Sequence, residues 1–292
     1  MDGIIIVNKE ENWTSNDVVQ KVKHIFNEKV GHTGTLDPLA TGVLPLLIGK
    51  GTLLSKYLIN HDKEYIATIK LGIKTDSGDL EGKVLETQEV KKEIIEKKNV
   101  LNALKSFIGK QTQIPPMYSA IKVNGKKLYE YARNGQTVEV NKRNIEIYNI
   151  ELIEIDNEEN EITYKVNCSK GTYIRTLSED IAKSLGTIGF MKSLNRTKVG
   201  DFSIEKSLKI SELEQNIDKL NGYIITIESF FENKGKIILT ENQMQRFLNG
   251  VKLNFYKEDD IYRIYNESNK FIGVGVIQNN LLKRELVVGL CD

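Results

Sequence analysis

Apolar residues recur along this chain with two different periods, and the two kinds of segment are mixed without a regular order. Helical spacing predicts helices over residues 14–27, 91–107 and 173–185. Alternation predicts strands over residues 63–73, 145–155 and 161–168, the last two as a pair. Because hairpins recur and the regular spacing of βαβ units is missing, the pattern favours an α+β fold over a doubly wound parallel sheet.

The pattern of predicted secondary structure changes after Phe230. Residues 235–239 and 251–290 contain short strand patterns, with turns at Asn249-Gly250 and Asn279-Asn280. We therefore predict two domains, a large one over 1–232 and a small β-rich one over 233–292.

Charge is nearly balanced overall but is unevenly distributed. The chain has 41 basic and 40 acidic residues, a formal net charge of +1. Residues 110–143 contain seven basic and two acidic side chains, whereas residues 144–161 contain seven acidic and no basic ones. Such segregation can create a positive face that attracts nucleic acid, although two separate solvated surfaces would give the same pattern.

Several classes of protein and of site are disfavoured. The apolar run 43–48 is too short to span a bilayer, and the N-terminus lacks the features of a signal peptide, so we expect a cytoplasmic protein with no membrane contact. Cys168 and Cys291 are far apart in sequence and lie in no paired motif, which disfavours a disulfide framework and a cysteine-rich metal site. Metal-ligand spacing is also missing among the histidines, so we expect no metal site; these are His24, His32 and His61.

Residues 31–45 are the most informative segment. Glycines and prolines interrupt it, so a loop is expected for most of its length. Asp37 precedes Pro38, which holds it away from helical conformation, and the flanking glycines allow a close approach of a ligand to the backbone. Such a loop can present one carboxylate at a fixed angle. From these residues alone, an ordinary turn aspartate is the commoner outcome.

The same segment, Gly31-His32-Thr33-Gly34 followed by Leu36-Asp37-Pro38-Leu39-Ala40-Thr41-Gly42, resembles the catalytic motif of the TruB family of tRNA pseudouridine synthases. Further matches to the family follow in its order, and together they extend to about residue 205. They are Lys63-Glu64-Tyr65, the segments 75–79, 116–120 and 125–133, and the arginine motif 168–177.

The resemblance implies a pseudouridine-synthase catalytic domain with a mixed, mainly antiparallel sheet and flanking helices. It implies an RNA-gripping insertion over about 114–143 and a small PUA-like RNA-binding domain over 233–292, for which a generic β domain is the alternative. The implied reaction converts the uridine at position 55, in the T-loop of tRNA, to pseudouridine. No cofactor and no guide RNA are expected, the partner is the T-arm of tRNA, and we expect a monomer.

The resemblance assigns the chemistry to Asp37, Tyr65 and Arg175. Asp37 would act as a nucleophile or take a proton from the sugar, and both routes remain open. Arg175 is the expected partner of Asp37, and a nearby arginine lowers the pKa of a carboxyl group. Tyr65 would stack on the target base and assist a proton transfer, while Leu194 would pack the other side of the pocket. For Tyr65 and Leu194, core packing is the rival interpretation.

Substrate contacts are implied for a further set of residues. A uridine inside a folded loop must be flipped out before it can react. His32 resembles the family's histidine that enters the RNA at the flipped position, where stacking on a base is a common device. The other implied contacts come from Lys9, Asp79, Lys122, Lys126, Lys127 and Tyr173.

One departure from the family occurs near the N-terminus. The family's pattern is Lys-Pro-x-Gly-x-Thr-Ser, whereas this chain has Lys9-Glu10-Glu11-Asn12-Trp13-Thr14-Ser15. Asparagine tolerates a positive φ, so Asn12 can keep the turn that glycine would make.

Two other functions compete with the stand-alone synthase. A non-catalytic RNA-binding protein on the same scaffold would be favoured by loss of the carboxylate, but Asp37 is present. A guide-RNA-dependent synthase would be favoured by long basic extensions, and the sequence has none.

Overall fold

The computed structural model describes residues 2–215 and 217–288. Its strands are β1 (Gly3–Lys9), β2 (Val30–His32), β3 (Thr41–Ile48), β4 (Lys63–Leu71), β5 (Ile73–Thr75), β6 (Val84–Thr87), β7 (Gly109–Gln113), β8 (Lys122–Val123), β9 (Lys126–Lys127), β10 (Arg143–Asp156), β11 (Glu161–Cys168), β12 (Gly189–Val199), β13 (Phe202–Ser203), β14 (Ile225–Thr226), β15 (Gly235–Leu239), β16 (Leu253–Asn254), β17 (Ile261–Asn266), β18 (Phe271–Gln278) and β19 (Leu281–Val287). Its α-helices are α1 (Ser15–Phe26), α2 (Ser55–Leu58), α3 (Lys97–Ser106), α4 (Leu128–Arg133), α5 (Ile174–Ser184), α6 (Ile210–Gln215), α7 (Ile227–Phe230) and α8 (Glu241–Leu248). Cys291 and the last residues of the predicted second domain lie outside the described residues. No helix within the described ranges is long and apolar enough to cross a membrane.

A large mixed sheet forms the centre of the molecule. Its strand order is β14-β1-β3-β12-β4-β11-β10-β7, with β2 added to β3 and β13 added to β12. Neighbouring strands are antiparallel except β3 and β12, which run parallel where Thr41 faces Asn195 and Gly42 faces Arg196. The expected α+β fold with a mixed, mainly antiparallel sheet is confirmed.

Several predicted elements are confirmed and others needed correction. The helices expected over 14–27 and 173–185 are α1 and α5, and α1 begins with a capping box between Thr14 and Asp17. The helix expected over 91–107 was wrong in its first half. There the chain forms a short 3₁₀ turn and then an extended residue, Glu96, before α3 begins.

The loop expected over most of residues 31–45 covers 33–40, because β2 ends at His32 and β3 begins at Thr41. Burial between β1 and the strands on its other side overrides the turn signals of Gly42 and Pro45. On that other side β3 pairs with β12 at Thr41 and Gly42 and with β2 from Leu46 onward, so Pro45 falls between the two pairings. A proline, which lacks an N–H donor, is therefore tolerated inside this strand.

Strand β12 is the main element that was not predicted. It pairs with β4 from Gly189 to Val199 and so lies near the middle of the sheet. Polar residues such as Lys192 and Asn195 interrupt its apolar pattern, so the alternation that is typical of a strand is not visible in the sequence. Its position matters because it places Leu194 and Arg196 beside β4.

The C-terminal part forms a separate five-stranded sheet in the order β15-β17-β18-β19-β16. Its inner face packs on α8 through a core that includes Phe247 and Ile264. Val274 and Leu286 of this sheet belong to a second apolar cluster, which also contains Ile4 and Leu47 of the large sheet. The two sheets therefore share a core and are packed firmly together.

The segment 114–143 leaves the large sheet after β7 and returns to it at β10. It contains the two-stranded ribbon of β8 and β9, joined by a turn in which Asn124 and Gly125 have φ of 50° and 82°, and the short helix α4. Positive φ at both central residues is typical of a type I′ hairpin turn. This segment lies beside the candidate site described below.

The turn between β1 and α1 takes the shape expected despite the missing glycine. Asn12 has φ of 65°, and its backbone N–H donates to the carbonyl of Pro38 at 3.0 Å. The turn therefore touches the loop that carries Asp37. The turn requires the left-handed conformation of Asn12, because a different φ would change the path of the backbone and the direction of that N–H.

We predict that Asn12→Ala lowers the free energy of unfolding, whereas Asn12→Gly leaves it unchanged or slightly higher. The left-handed conformation costs most L-residues about 1–2 kcal/mol, a cost that glycine does not have and that asparagine offsets in part. Urea denaturation of the three proteins measures the difference. Equal losses in both variants would show that the Asn12 side chain, and not its φ, is what the turn requires.

Candidate active site

The loop formed by residues 33–40 carries Asp37 and is held from both sides. The Ser15 hydroxyl at the start of α1 accepts from the N–H of Leu36 at 2.8 Å and donates to its carbonyl at 3.0 Å. Leu36 and Leu39 are buried beneath the loop, at 3% and 6% exposure. The backbone around Asp37 is therefore fixed, as the Gly and Pro punctuation of this segment suggested.

Lys9 is fully buried under the same loop. Its ammonium group donates to the carbonyls of Glu10 at 3.0 Å, Trp13 at 2.5 Å and Pro38 at 3.0 Å. Burial lowers the pKa of Lys9 to about 8, although the nearby carboxylate of Asp37 opposes the shift. Lys9 was expected to contact substrate; in the structure its buried side chain supports the loop, and a substrate contact stays a prediction.

Arg175 lies in the first turn of α5 and joins Asp37 to the rest of the site. Its Nε is 3.1 Å from Oδ2 of Asp37, and its Nη1 is 3.5 Å from Oδ2 of Asp79. The remaining donors reach the carbonyls of Ser77 at 3.2 Å and Tyr118 at 2.6 Å. The arginine therefore contacts Asp37 through one nitrogen and uses the others to tie down two further segments.

Asp79 is buried, at 4% exposure, and lies behind the arginine. Its Oδ1 accepts from the Ser77 hydroxyl at 2.5 Å and from the N–H of Glu81 at 3.2 Å. Asp79 was expected to contact substrate, but its carboxylate points at Arg175. Its place in the structure is that of a support for the arginine.

The balance of charges around Asp37 differs from expectation. Burial raises the pKa of the Asp37 carboxyl group, the Arg175 guanidinium and the Lys9 ammonium lower it, and Asp79 adds to the rise. The net direction is upward, whereas the sequence suggested a pKa lowered by Arg175. The expectation failed because it counted the partner and not the cost of removing a carboxylate from water.

A cavity of about 310 Å³ opens in front of Asp37. The carboxylate side chain is 34% exposed, and its exposed part faces this space. The cavity is lined mainly by the loop, by β4 and β12, by the start of α5 and by the segment 114–143; the principal residues are Thr33, Gly34, Thr35, Asp37, Lys63, Tyr65, Ser119, Ala120, Lys170, Tyr173, Arg175, Leu194 and Arg196.

Tyr65 and Leu194 meet in this cavity because β4 and β12 are paired. Tyr65 faces Arg196 and Ala67 faces Leu194 in the register, and Tyr65 and Leu194 are both 8% exposed. Burial raises the pKa of Tyr65 to about 12, with Arg196 opposing the shift. The phenol is therefore protonated near neutral pH, so it enters the cavity as a neutral hydrogen-bonding group.

Tyr173 lies directly before α5 and also lines the cavity. Its backbone N–H donates to the side-chain oxygen of Gln113 at 2.8 Å, and its carbonyl accepts from the Gln113 side-chain nitrogen at 3.0 Å. The start of α5 is thereby held to the last residue of β7. This fixes both Tyr173 and Arg175 relative to the sheet.

His32 ends β2, one residue before the lining of the cavity begins at Thr33. It is half-buried, burial and the Arg196 charge lower its pKa, and its Nδ1 has no hydrogen-bond partner within the described part of the chain. The structure thus places a neutral, incompletely paired ring beside the entrance. The predicted insertion of His32 into RNA stays a prediction.

The three predicted lysines of the insertion lie on the ribbon. Lys122 faces Lys127 across it, and Lys122 and Lys126 are exposed. Lys127 is half-buried, and its ammonium lies 3.2 Å from the hydroxyl of Tyr129. These charges do not line the cavity. They lie on the ribbon that follows Ser119 and Ala120, and these two residues form part of the cavity wall.

Arg196 is a site residue that sequence reasoning missed. It is 1% exposed, and its guanidinium donates to the carbonyls of Val43, Gly34 and Thr35. The signal was an arginine two positions after Leu194, hence on the same face of a strand, but β12 itself was not recognised. Within the described ranges, no group of three or more His, Cys, Asp or Glu side chains is placed to hold a metal ion.

Comparisons with known proteins agree with this geometry. Residues 23–174 match the TruB family pseudouridylate synthase N-terminal domain, residues 175–231 the tRNA pseudouridylate synthase B C-terminal domain, and residues 235–288 the C-terminal domain of pseudouridine synthase II TruB. The tRNA pseudouridine synthase B of Clostridium kluyveri is 43% identical over 94% of this chain and 96% of the relative. That of Clostridium tetani is 46% identical, over 94% and 95%.

Solved structures with a similar fold come from another branch of pseudouridine synthases. A chain from a Cbf5–Nop10–Gar1 complex has a TM-score of 0.66 at 25% identity, covering 94% of this chain and 78% of that one. A chain from an H/ACA RNP bound to a substrate RNA containing 2′-deoxyuridine has a TM-score of 0.67 at 23% identity, over 99% and 86%, which shows the fold alone. The resemblance drawn from the motifs is confirmed, and the chain belongs to the TruB family of pseudouridine synthases.

Proposed function

We propose that this enzyme isomerises the uridine at position 55 in the T-loop of tRNA to pseudouridine, with Asp37 as its catalytic carboxylate. The observation that carries the proposal is the placement of Asp37. It is the carboxylate of the cavity lining, it is held by Arg175 at 3.1 Å, and it lines the same cavity as Tyr65 and Leu194. The relatives named tRNA pseudouridine synthase B support the choice of RNA.

The shape of the site suits a base that has left its stack. A cavity of about 310 Å³ is at the small end of ligand sites, and the loop and the insertion both contribute to its lining. Flipping a nucleotide costs a few kcal/mol, so the pocket must offer compensating contacts. Tyr65 and Leu194 line the space from the paired strands β4 and β12, and Tyr173 adds a further aromatic side chain.

The reaction breaks the C1′–N1 bond of uridine, turns the uracil, and joins C5 to C1′. The proton lost from C5 balances the one gained at N1, so no oxidant, reductant or cofactor is consumed. Asp37 acts as a nucleophile, on the sugar or on the base, or takes a proton from the sugar. Either role requires the ionised carboxylate, which Arg175 favours against the cost of burial.

A guide-RNA-dependent activity is the second candidate, since the fold is similar to that of Cbf5 in its complex. The curated relatives are much closer in sequence, at 43–46% identity against 25%. We therefore infer a stand-alone, cytoplasmic, monomeric enzyme. Incubation of the protein alone with an unmodified tRNA transcript, followed by chemical mapping of pseudouridine, tests this. Modification only after addition of a guide RNA and partner proteins would favour the second candidate.

We predict that Asp37→Asn abolishes turnover while tRNA affinity stays within about threefold of wild type, because affinity for nucleic acid comes mainly from backbone contacts. Single-turnover rate and dissociation constant are measured on the same transcript. A transcript with cytidine at position 55 is the control for the modified site. A variant that reacts near the wild-type rate would sink the assignment of Asp37.

We predict that Arg175→Ala and Arg175→Lys each slow the single-turnover rate by at least about 100-fold, a typical effect of losing a preorganised donor. Lysine keeps the charge but cannot reach Asp37, Asp79 and two carbonyls together. Loss of the cation in Arg175→Ala also raises the pKa of Asp37, so the rate declines at a higher pH as the solution is acidified. Unchanged rates, together with a pH dependence of the single-turnover rate that does not shift on the acid side, would show that Arg175 is not the partner of Asp37.

We predict that neutralising Lys122, Lys126 and Lys127 together weakens tRNA binding and flattens its salt dependence. Removing one contact to a phosphate reduces the slope of log K against log salt by at most about one. The matched control neutralises three exposed lysines around the start of α3 that do not line the cavity, namely Lys91, Lys97 and Lys98. Parallel lines and equal affinity in the ribbon variant would mean that the insertion does not grip the RNA backbone.

A further inference from the structure

Arg196 is a buried cation at the floor of the cavity. Its side chain is 1% exposed and is among the largest fully buried in the molecule. Nε donates to the carbonyl of Val43 at 2.8 Å, Nη2 to that of Gly34 at 3.0 Å and Nη1 to that of Thr35 at 3.5 Å. Arg196 lies directly opposite Tyr65 in the pairing of β12 with β4, and both side chains line the cavity.

No carboxylate of residues 2–215 or 219–288 forms an ion pair with this guanidinium, in contrast to Arg175. A buried charge is costly unless it is paired, and neutral carbonyls compensate only in part. Burial accordingly lowers the pKa of Arg196, while Tyr65 and Asp37 act in the opposite direction. An apolar side chain of similar length would fill the same space at lower cost, so packing alone does not account for an arginine here.

The field of this cation reaches the groups around the cavity. It lowers the pKa of Tyr65 against the effect of burial, and it adds to the lowering at His32 and Lys63. The parallel pairing of β12 with β3 fixes its position, and Gly42 allows the close approach. A Cβ at Gly42 would lie 2.3 Å from the Arg196 carbonyl. The charge is therefore held rigidly between the catalytic loop and the phenol.

We propose that Arg196 is a positioning residue for the isomerisation, acting through Tyr65, an inference that rests on the proposed function. By donating to the phenolic oxygen, the guanidinium turns the Tyr65 O–H toward the cavity and makes it a stronger donor to the flipped uracil. The same side chain places positive charge beneath that ring. When the C1′–N1 bond breaks, its electron pair leaves with the uracil. The Arg196–Tyr65 pair stabilises the resulting negative charge on the base until C5 bonds to C1′.

The test compares Arg196→Lys, Tyr65→Phe and their double variant. The matched control is Tyr164→Phe, which removes a buried hydroxyl bonded to Ser178 at 3.0 Å on the neighbouring strand β11. Single-turnover rate with saturating enzyme, dissociation constant for an unmodified tRNA transcript, and melting temperature are measured for each protein. Rates are taken at two temperatures well below the lowest melting temperature, so that partial unfolding does not contribute.

Each single variant is expected to slow the chemical step at least about 30-fold with affinity within about threefold of wild type, and Tyr164→Phe to react normally. Because both groups act through one hydrogen bond, the double variant is expected to be no slower than the slower single variant. Effects that multiply in the double variant, or a normal rate in Arg196→Lys, would overturn the proposal. A rate loss that disappears at the lower temperature would assign Arg196 a purely structural role and would also overturn it.

If Arg196→Lys does not fold, Tyr65→Phe decides, because the proposal acts through that hydroxyl. A normal rate in this variant refutes it, and a slow chemical step with intact affinity supports it. Failure of the wild-type protein to form pseudouridine would refute the proposed function instead. Activity of the wild type therefore separates the two conclusions.

Discussion

The ion pair between Asp37 and Arg175 is the interaction on which the site depends. It joins the loop after β2 to the first turn of α5, and the other donors of the arginine add the turn around Asp79 and the start of the insertion. A buried ion pair gains little unless its remaining donors and acceptors are satisfied. Here the carboxylate has one contact to the guanidinium and keeps its exposed part for the cavity, so the pair organises the site without closing it.

Two further buried cations hold the loop that carries Asp37 through its carbonyl groups. Lys9 holds Pro38 from one side, and Arg196 holds Gly34 and Thr35 from the other. With these carbonyls turned inward, the Asp37 side chain between them is directed outward into the cavity. The cost of burying the two cations is offset partly by these contacts and partly by the carboxylate nearby, which raises the pKa of both. The same buried cations therefore set both the conformation of the loop and the electrostatic surroundings of Asp37.

The sequence predicted the fold class, the position of Asp37 and its partner Arg175, because motifs of fixed order carry that information. It missed β12, and with it Arg196, because polar residues are spread along that strand and two register shifts interrupt the alternation of period two. It did not show that Lys9 supports the loop or that Asp79 faces Arg175, since a charged side chain gives no sign in the sequence of whether it faces substrate or another charge. The pKa of Asp37 was expected in the wrong direction for a similar reason. Desolvation depends on the whole surroundings, and these come from several separate segments of the chain.

Asp37 also borders a second cavity, of about 360 Å³, on the far side of Arg175. This space is lined by the turn around Asp79 and by Tyr118, Tyr129 and Arg133 of the insertion. The carbonyl of Tyr118 accepts from Arg175 at 2.6 Å. A displacement of the insertion that moves Tyr118 would therefore break or reshape one of the arginine's hydrogen bonds. Because Arg175 favours the ionised form of Asp37, the segment that would grip the RNA and the charge state of the carboxylate are linked by a single guanidinium.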